Sequence, residues 1–136
     1  MINLVLSATA FFLFDRWTKK VAQQVKRRAW FGSVLRCHLV TSSKSLYQRN
    51  AARCFLMLVW AGAFVSAAVL HSSGIWFQSP FAVTALGVAL GGAAGNLMDI
   101  LQHHYVVDFI DLRYWPVFNL ADVGIVGGLA FAFWRG

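Results

Sequence analysis

CFLMLVWAGAFVSAAVLHSSGIWFQSPFAVTALGVALGGAAGNLM, residues 54–98, contains no Asp, Glu, Lys or Arg. A membrane span takes about 20 mostly apolar residues. The stretch therefore holds two spans and a short polar turn over His71–Pro80, where Ser, Gly and Pro gather. The rest of the chain agrees. Of its 136 residues, 59% are hydrophobic and 12% charged, whereas soluble domains carry roughly 25% charged residues. Lipid is the solvent such a composition fits.

The net charge of +7 is unevenly spread. Ten of the twelve basic residues lie between Arg16 and Arg53. They sit among apolar segments, so anionic lipid headgroups are their expected partners and nucleic acid is not. All five acids are aspartates: Asp15, Asp99, Asp108, Asp111 and Asp122. Cys37 and Cys54 lack the spacing of a zinc site or redox pair. Free thiols are expected, with a disulfide open to them in an oxidising compartment. The N-terminus has no basic region before its apolar run and does not read as a cleaved signal peptide.

Working outward, the chain reads as an all-α membrane protein of one domain, 1–136, with four transmembrane helices. They are expected over about 2–21, 51–70, 81–101 and 119–134. The first is purely apolar only to Phe14, so Asp15, Arg16 and Trp17 belong at the interface or against the protein interior. Residues 22–50 form a basic connection. Within it Val34-Leu35-Arg36-Cys37-His38-Leu39-Val40 alternates like a short strand, which gives a small extramembrane cap room for β-structure. Residues 102–118 connect the last two helices. With four spans, both connections lie on one side and their polar residues can build one site. Gly87, Gly91 and Gly95 recur every fourth residue, as do Gly124 and Gly128. Small residues at this period let backbones approach closely in lipid, and the third and fourth helices are expected to pack on them.

Ionisable residues at membrane depth are costly and mark function. Asp108 sits in the apolar run Tyr105-Val106-Val107-Asp108-Phe109-Ile110, and Asp122 in Phe118-Asn119-Leu120-Ala121-Asp122. Trp115-Pro116 between them breaks any continuous helix, so the chain turns back and the carboxylates meet. Two close carboxylates do not both ionise cheaply, and they titrate as a unit. The pair suits peptide hydrolysis: one member takes a proton from water while the other donates to the scissile carbonyl. Simpler roles stand beside this one. Asp122 fits a helix N-cap or first-turn acid, and Asp108 fits an interfacial partner of Arg113. Asp99 with His103 gives two ligands without a third, which is poor support for a metal. Thr41, Ser42, Ser43 and Ser45 lack a placed base, so they read as a polar loop.

Gly91-Gly92-Ala93-Ala94-Gly95-Asn96-Leu97-Met98-Asp99, Val106-Val107-Asp108-Phe109-Ile110-Asp111 and Trp115-Pro116-Val117-Phe118-Asn119-Leu120-Ala121-Asp122 together resemble the lipoprotein signal peptidases (signal peptidase II). That family carries GGxxGNxxDR, VVDFI and FNxAD segments in this order and spacing. Asp15-Arg16-Trp17-Thr18-Lys19 is similar to the family's DxxTK motif. The resemblance implies an aspartic endopeptidase that removes signal peptides from prolipoproteins before a diacylglyceryl-modified Cys. It implies Asp108 and Asp122 as the catalytic pair, Asn96 and Asn119 as residues that hold the substrate backbone or that pair, and Asp99 as a substrate-holding residue. A salt bridge or cap is an equal reading for Asp99. No metal and no cofactor are implied. The expected partners are a lipidated prolipoprotein or similar membrane peptide and membrane lipids, with the chain itself a monomer.

Two departures stand out. The Arg that follows the GNxxD acid in the family is Ile100 here. The N-x-G-A-A-F-type motif of the first connection has only Ser42-Ser43-Lys44-Ser45-Leu46-Tyr47 as a counterpart. Both concern substrate holding, so recognition is expected to be altered and the hydrolytic pair intact. The alternative is a non-catalytic relative that binds a lipidated or membrane peptide. A transporter subunit with the aspartates as a proton path is a third reading. The resemblance places the chain in the bacterial plasma (inner) membrane, multi-pass, with the active site towards the outer face. The basic first connection alone, by charge bias, would be cytoplasmic.

Overall fold

The computed structural model describes residues 2–25, 46–110, 112 and 118–134, with backbone alone at 25 and 46–57. The alternating segment 34–40, the serines before Leu46, Cys37, the Cys54 side chain, Asp111, Arg113 and Trp115-Pro116 lie outside what is described. Four helices follow one another: α1 (Ile2–Val25), α2 (Leu46–Ser72), α3 (Pro80–His103) and α4 (Leu120–Trp134). Among the described residues the one pairing of extended chain is an isolated antiparallel bridge between Ile110 and Phe118. The all-α expectation holds.

The helix ends follow local chemistry. α2 closes through Ser73 N–H to Val69 O at 2.9 Å, followed by Gly74 at φ 71°, a left-handed conformation that glycine adopts without a Cβ clash. α3 starts at Pro80, whose fixed φ suits a first helical position. Ser79 caps it by accepting from Ala82 N–H at 3.0 Å. It stops at His104, left-handed at φ 70°, whose N–H reaches Ile100 O at 3.1 Å.

α3 is the centre, packed by α1, α4 and α2, while α1 and α2 do not meet among the described residues. Its 24 residues span about 36 Å at 1.5 Å per residue, more than the roughly 30 Å hydrocarbon layer. It is the one described helix long and apolar enough to cross a membrane; the apolar lengths Leu58–Ser72 and Leu120–Trp134 are shorter. Large apolar side chains face outward, among them Leu6, Leu58, Val126, Phe131 and Trp134. In water such a surface would be a liability; against lipid it costs nothing.

The glycine stripe has a different partner from the one the sequence led us to expect. A Cβ at Gly87 would meet Leu4 O and Ser7, one at Gly91 would meet Ala8, and one at Gly95 would meet the Asp15 carboxylate. All four of these partners belong to α1. The close approach of α3 to α4 is made instead at Gly92, against Ala121 O, and at Gly128, against Ala85 O and Ala89. Four-residue spacing fixes which helix face is small, but it carries nothing about which neighbour occupies it. Edge-on aromatic pairs Phe81–Phe131 at 6.0 Å and Phe77–Phe133 at 5.5 Å close the far end, and Trp60 Nε1–H ties α2 to Leu90 O at 3.1 Å.

Candidate active site

The Ile110–Phe118 bridge shapes the site. Phe118 N–H donates to Ile110 O at 3.1 Å and Ile110 N–H to Phe118 O at 2.9 Å. The chain leaving α3 is thereby held beside the chain entering α4, which puts Asp108 next to Asn119. Asn119 Nδ2–H donates to Asp108 Oδ1 at 2.8 Å.

Asn119 also opens α4. Its Oδ1 accepts from Asp122 N–H at 3.0 Å, while Asp122 Oδ2 accepts from Asn119 N–H at 3.1 Å. This is a reciprocal capping box with Asn and Asp in the two roles. The first-turn role foreseen for Asp122 is therefore real, and it coexists with a place in the acidic pair: Asp122 Oδ1 is still free to accept from Asn96 Nδ2–H at 2.8 Å. One asparagine thus bonds both carboxylates, Asp108 through its side chain and Asp122 through its backbone.

Asn96 completes the arrangement from α3. Its Oδ1 accepts from Asn119 Nδ2–H at 3.0 Å and from Lys19 Nζ at 3.0 Å. Lys19 donates to Asn96 and pairs as an ion with Asp15 Oδ2 at 2.8 Å and with Asp99 Oδ2 at 2.7 Å. Asp15 Oδ1 accepts from Ala121 N–H at 3.1 Å, so α1 caps the first turn of α4 from outside that helix. Asp99 also takes the Arg16 guanidinium, and accepts from Val107 N–H at 3.2 Å. Arg16 reaches on to Gln102 Oε1 at 2.7 Å.

Burial divides these residues into two layers. Asp15, Asp99 and Asn119 are 0% exposed and Lys19 is 2% exposed; Asp108, Asp122 and Asn96 are half-buried. The acidic pair is thus the reachable layer, and the ionic cluster from α1 lies behind it. Asp108 has its carboxyl held above the ordinary carboxylate range. Burial is the main cause and the negative charge of Asp122 adds to it, while the Asn119 donor and the Lys19 charge oppose both. Asp108 therefore holds a proton more readily than an ordinary carboxyl does.

Among the sequence-derived residues, Asp108, Asp122, Asn96 and Asn119 come together. Asp99 sits behind them with both oxygens engaged, an arrangement that fits its salt-bridge reading. Arg113, the other partner considered for Asp108, lies outside the described residues. His103 is exposed and tilted against Tyr105 at 5.8 Å. Sequence reasoning put Asp15 and Arg16 at the interface or against the protein interior and matched Asp15 and Lys19 to a family motif, but gave none of the three a role at the site. The signal was there in part: Asp15 and Lys19 are four apart, hence on one helix face. An apolar cleft of about 370 Å³ opens between α1 and α2, lined by residues such as Val5, Phe12, Trp60, Leu90 and Leu101. None of the polar site residues lines it.

The family model for signal peptidase (SPase) II matches residues 7–135. The lipoprotein signal peptidase of Moorella thermoacetica is 40% identical over 97 residues, covering 65% of this chain and 65% of that protein. That of Paraburkholderia phytofirmans is 37% identical over 138 residues, covering 89% and 76%. The match spans just under two thirds of the Moorella protein's length, and about half, 51%, of that of Pelotomaculum thermopropionicum. A solved bacterial membrane enzyme superposes with a TM-score of 0.66 over 98% of this chain and 91% of that one, at 18% identity, a likeness of fold.

Proposed function

The chain belongs to the signal peptidase II family, and on that premise we propose that it is an aspartic endopeptidase of the bacterial membrane, cutting signal peptides from diacylglyceryl-modified prolipoproteins with Asp108 and Asp122. The observation that carries the reading is the double bond of Asn119 to both acids, at 2.8 Å to Asp108 Oδ1 and 3.1 Å to Asp122 Oδ2.

With its proton favoured, Asp108 is the acid and Asp122 the base. Asp122 takes a proton from water as the water oxygen bonds to the scissile carbonyl carbon. Asp108 donates its proton to the carbonyl oxygen, giving a neutral tetrahedral diol. Asp122 returns a proton to the peptide nitrogen while Asp108 takes one back from a diol hydroxyl, so that the C–N bond breaks to give a new carboxyl and a new amine with the pair restored. Asn119 and Asn96 hold the acids in place throughout, which lowers the reorganisation the transition state requires.

All four helices are placed in the membrane in this reading, with the dyad end towards the outer face and the chain a monomer in contact with lipid. Asn96 and Asn119 are half-buried and buried beside the dyad, where their amides can also meet a substrate backbone; Asp99 acts behind them. Ile100 leaves the position after Asp99 without a cation, and Asp99 draws its cations from α1. Substrate recognition is accordingly altered while the hydrolytic pair is kept.

The test is cleavage of a diacylglyceryl-modified prolipoprotein by the purified protein, beside a working control enzyme. Release of the signal peptide supports the reading. Binding of the substrate without release, unchanged in Asp108→Asn, would replace it with a non-catalytic binder.

A further inference from the structure

Lys19 is a buried lysine whose ammonium donates to Asn96 Oδ1 at 3.0 Å and pairs as an ion with Asp15 and Asp99. Two of those partners are carboxylates. The third, the Asn96 amide, has no charge for Lys19 to neutralise. It is, however, the group that donates to Asp122 at 2.8 Å.

An asparagine amide can point either way round, and its neighbours decide which. Ammonium has donors only, so the Asn96 oxygen must face Lys19. The Asn96 NH₂ then faces the Asp122 carboxylate, which has acceptors only when ionised. Asn119 Nδ2–H adds a second donor to the same Asn96 oxygen at 3.0 Å, but Asn119 is itself an amide. Its own orientation is fixed by Asp122 N–H on its oxygen and Asp108 on its nitrogen. Lys19 is the obligate donor that starts this chain of amides.

We propose that Lys19 is a positioning residue for the dyad: by holding Asn96 Oδ1 it fixes the amide that orients Asp122, in addition to balancing the charge of Asp15 and Asp99. The inference rests on the proposed peptidase reading. Without Lys19 the Asn96 oxygen keeps the Asn119 amide as a donor but loses its charged one, and the amide is held less firmly against the Asp122 carboxylate.

Charge balance and amide orientation can be separated. Lys19→Met alone leaves a buried aspartate without its cation. Asp15→Asn combined with Lys19→Met restores neutrality, because Arg16 still pairs with Asp99 and the amide oxygen introduced at position 15 can still accept from Ala121 N–H. In the prolipoprotein cleavage assay the double variant is expected to melt near the unsubstituted protein yet lose about 100-fold in kcat, with KM changed less than about 3-fold, as for a misplaced catalytic group. Lys19→Gln, whose amide can donate to Asn96 Oδ1, should recover at least about 10-fold of that loss. Return of kcat to the unsubstituted level in the double variant would overturn the proposal, because Lys19 would then serve charge balance alone.

A measurement on the unsubstituted protein covers the case in which the variants do not fold. In detergent, the side-chain amide resonances of Asn96 should move with the titration of the dyad, and the Lys19 ammonium should give a slowly exchanging nitrogen signal. A fast-exchanging Lys19, or an Asn96 amide indifferent to pH, overturns the proposal. If the unsubstituted protein cleaves nothing, the peptidase reading fails, and these resonances still report on the Lys19–Asn96–Asp122 relay.

Discussion

Asn119 and Asp122 bond each other twice, Asp122 N–H to Asn119 Oδ1 at 3.0 Å and Asn119 N–H to Asp122 Oδ2 at 3.1 Å. The helix start and the acidic site are therefore the same object. The box that satisfies two of α4's free N–H groups also fixes the direction of the Asp122 carboxylate, and the remaining Asn119 donor fixes Asp108.

Substitution separates the two jobs of Asn119. Asn119→Ser keeps an N-cap acceptor but cannot reach Asp108 and Asn96, so stability should fall by only about a few tenths of a kcal/mol while kcat falls about 100-fold. Asn119→Ala should lose the same activity and about 1 kcal/mol of stability as well. Denaturation in detergent with parallel cleavage kinetics reads both. Equal stability of the Ser and Ala variants would remove the capping role.

Asp108→Asn and Asp122→Asn should each lower turnover by about 10³-fold or more, the scale of a lost acid or base. An amide oxygen can replace the carboxylate oxygen that accepts from Asn119 or Asn96, so circular dichroism should show the helices retained. Turnover within about 10-fold of the parent in either variant would remove that residue from the pair.

Because its carboxyl is raised by burial and by Asp122, Asp108 binds its proton more tightly folded than unfolded. Between the unfolded and the folded value the folded state holds more protons, so stability from this group falls as pH rises through that window. Asp108→Asn should thus be at least as stable as the parent at about pH 8, with the advantage shrinking as pH is lowered towards about 4. Melting curves across that range check it, and a gap that widens on acidification has the wrong sign. Activity should likewise decline on the alkaline side, as Asp108 loses the proton it donates.

Gly95 and Gly62 make a matched pair. A Cβ at Gly95 would collide with the carboxylate of fully buried Asp15, whereas Gly62 in α2 has nothing within 4 Å among the described residues. Gly95→Ala should destabilise by about 1–3 kcal/mol through overpacking and should lower activity through Asp15. Gly62→Ala should be neutral or gain roughly 0.5–1 kcal/mol, since alanine is the better helix former. Thermal melting of the two proteins decides.

Residues 54–98 and the charge deficit made the helical membrane class legible, because a burial pattern in lipid is written in composition along the chain. The meeting of Asp108 and Asp122 at one asparagine was legible in part, because both acids sit in distinctive local segments close together in the chain. The partner of the glycine stripe was not, since Gly87, Gly91 and Gly95 define a narrow face without naming the helix that fills it. Nor was the cause of Gly95 itself, which admits the Asp15 side chain.

The sequence by itself determined the number of helices and the presence of two acids between and at the start of the last two. Those are local matters: apolar length, and charge that stands out from apolar surroundings. Tertiary structure decided where Asp15, Arg16 and Lys19 point. They are 77 or more positions from their partners Asn96, Asp99, Gln102 and Ala121, and contacts across such distances depend on how α1 is rotated against α3. Asn119 lies on both sides of that division. Its place before Asp122 marks a helix start in the sequence, while its hold on Asp108 exists only because Phe118 pairs with Ile110.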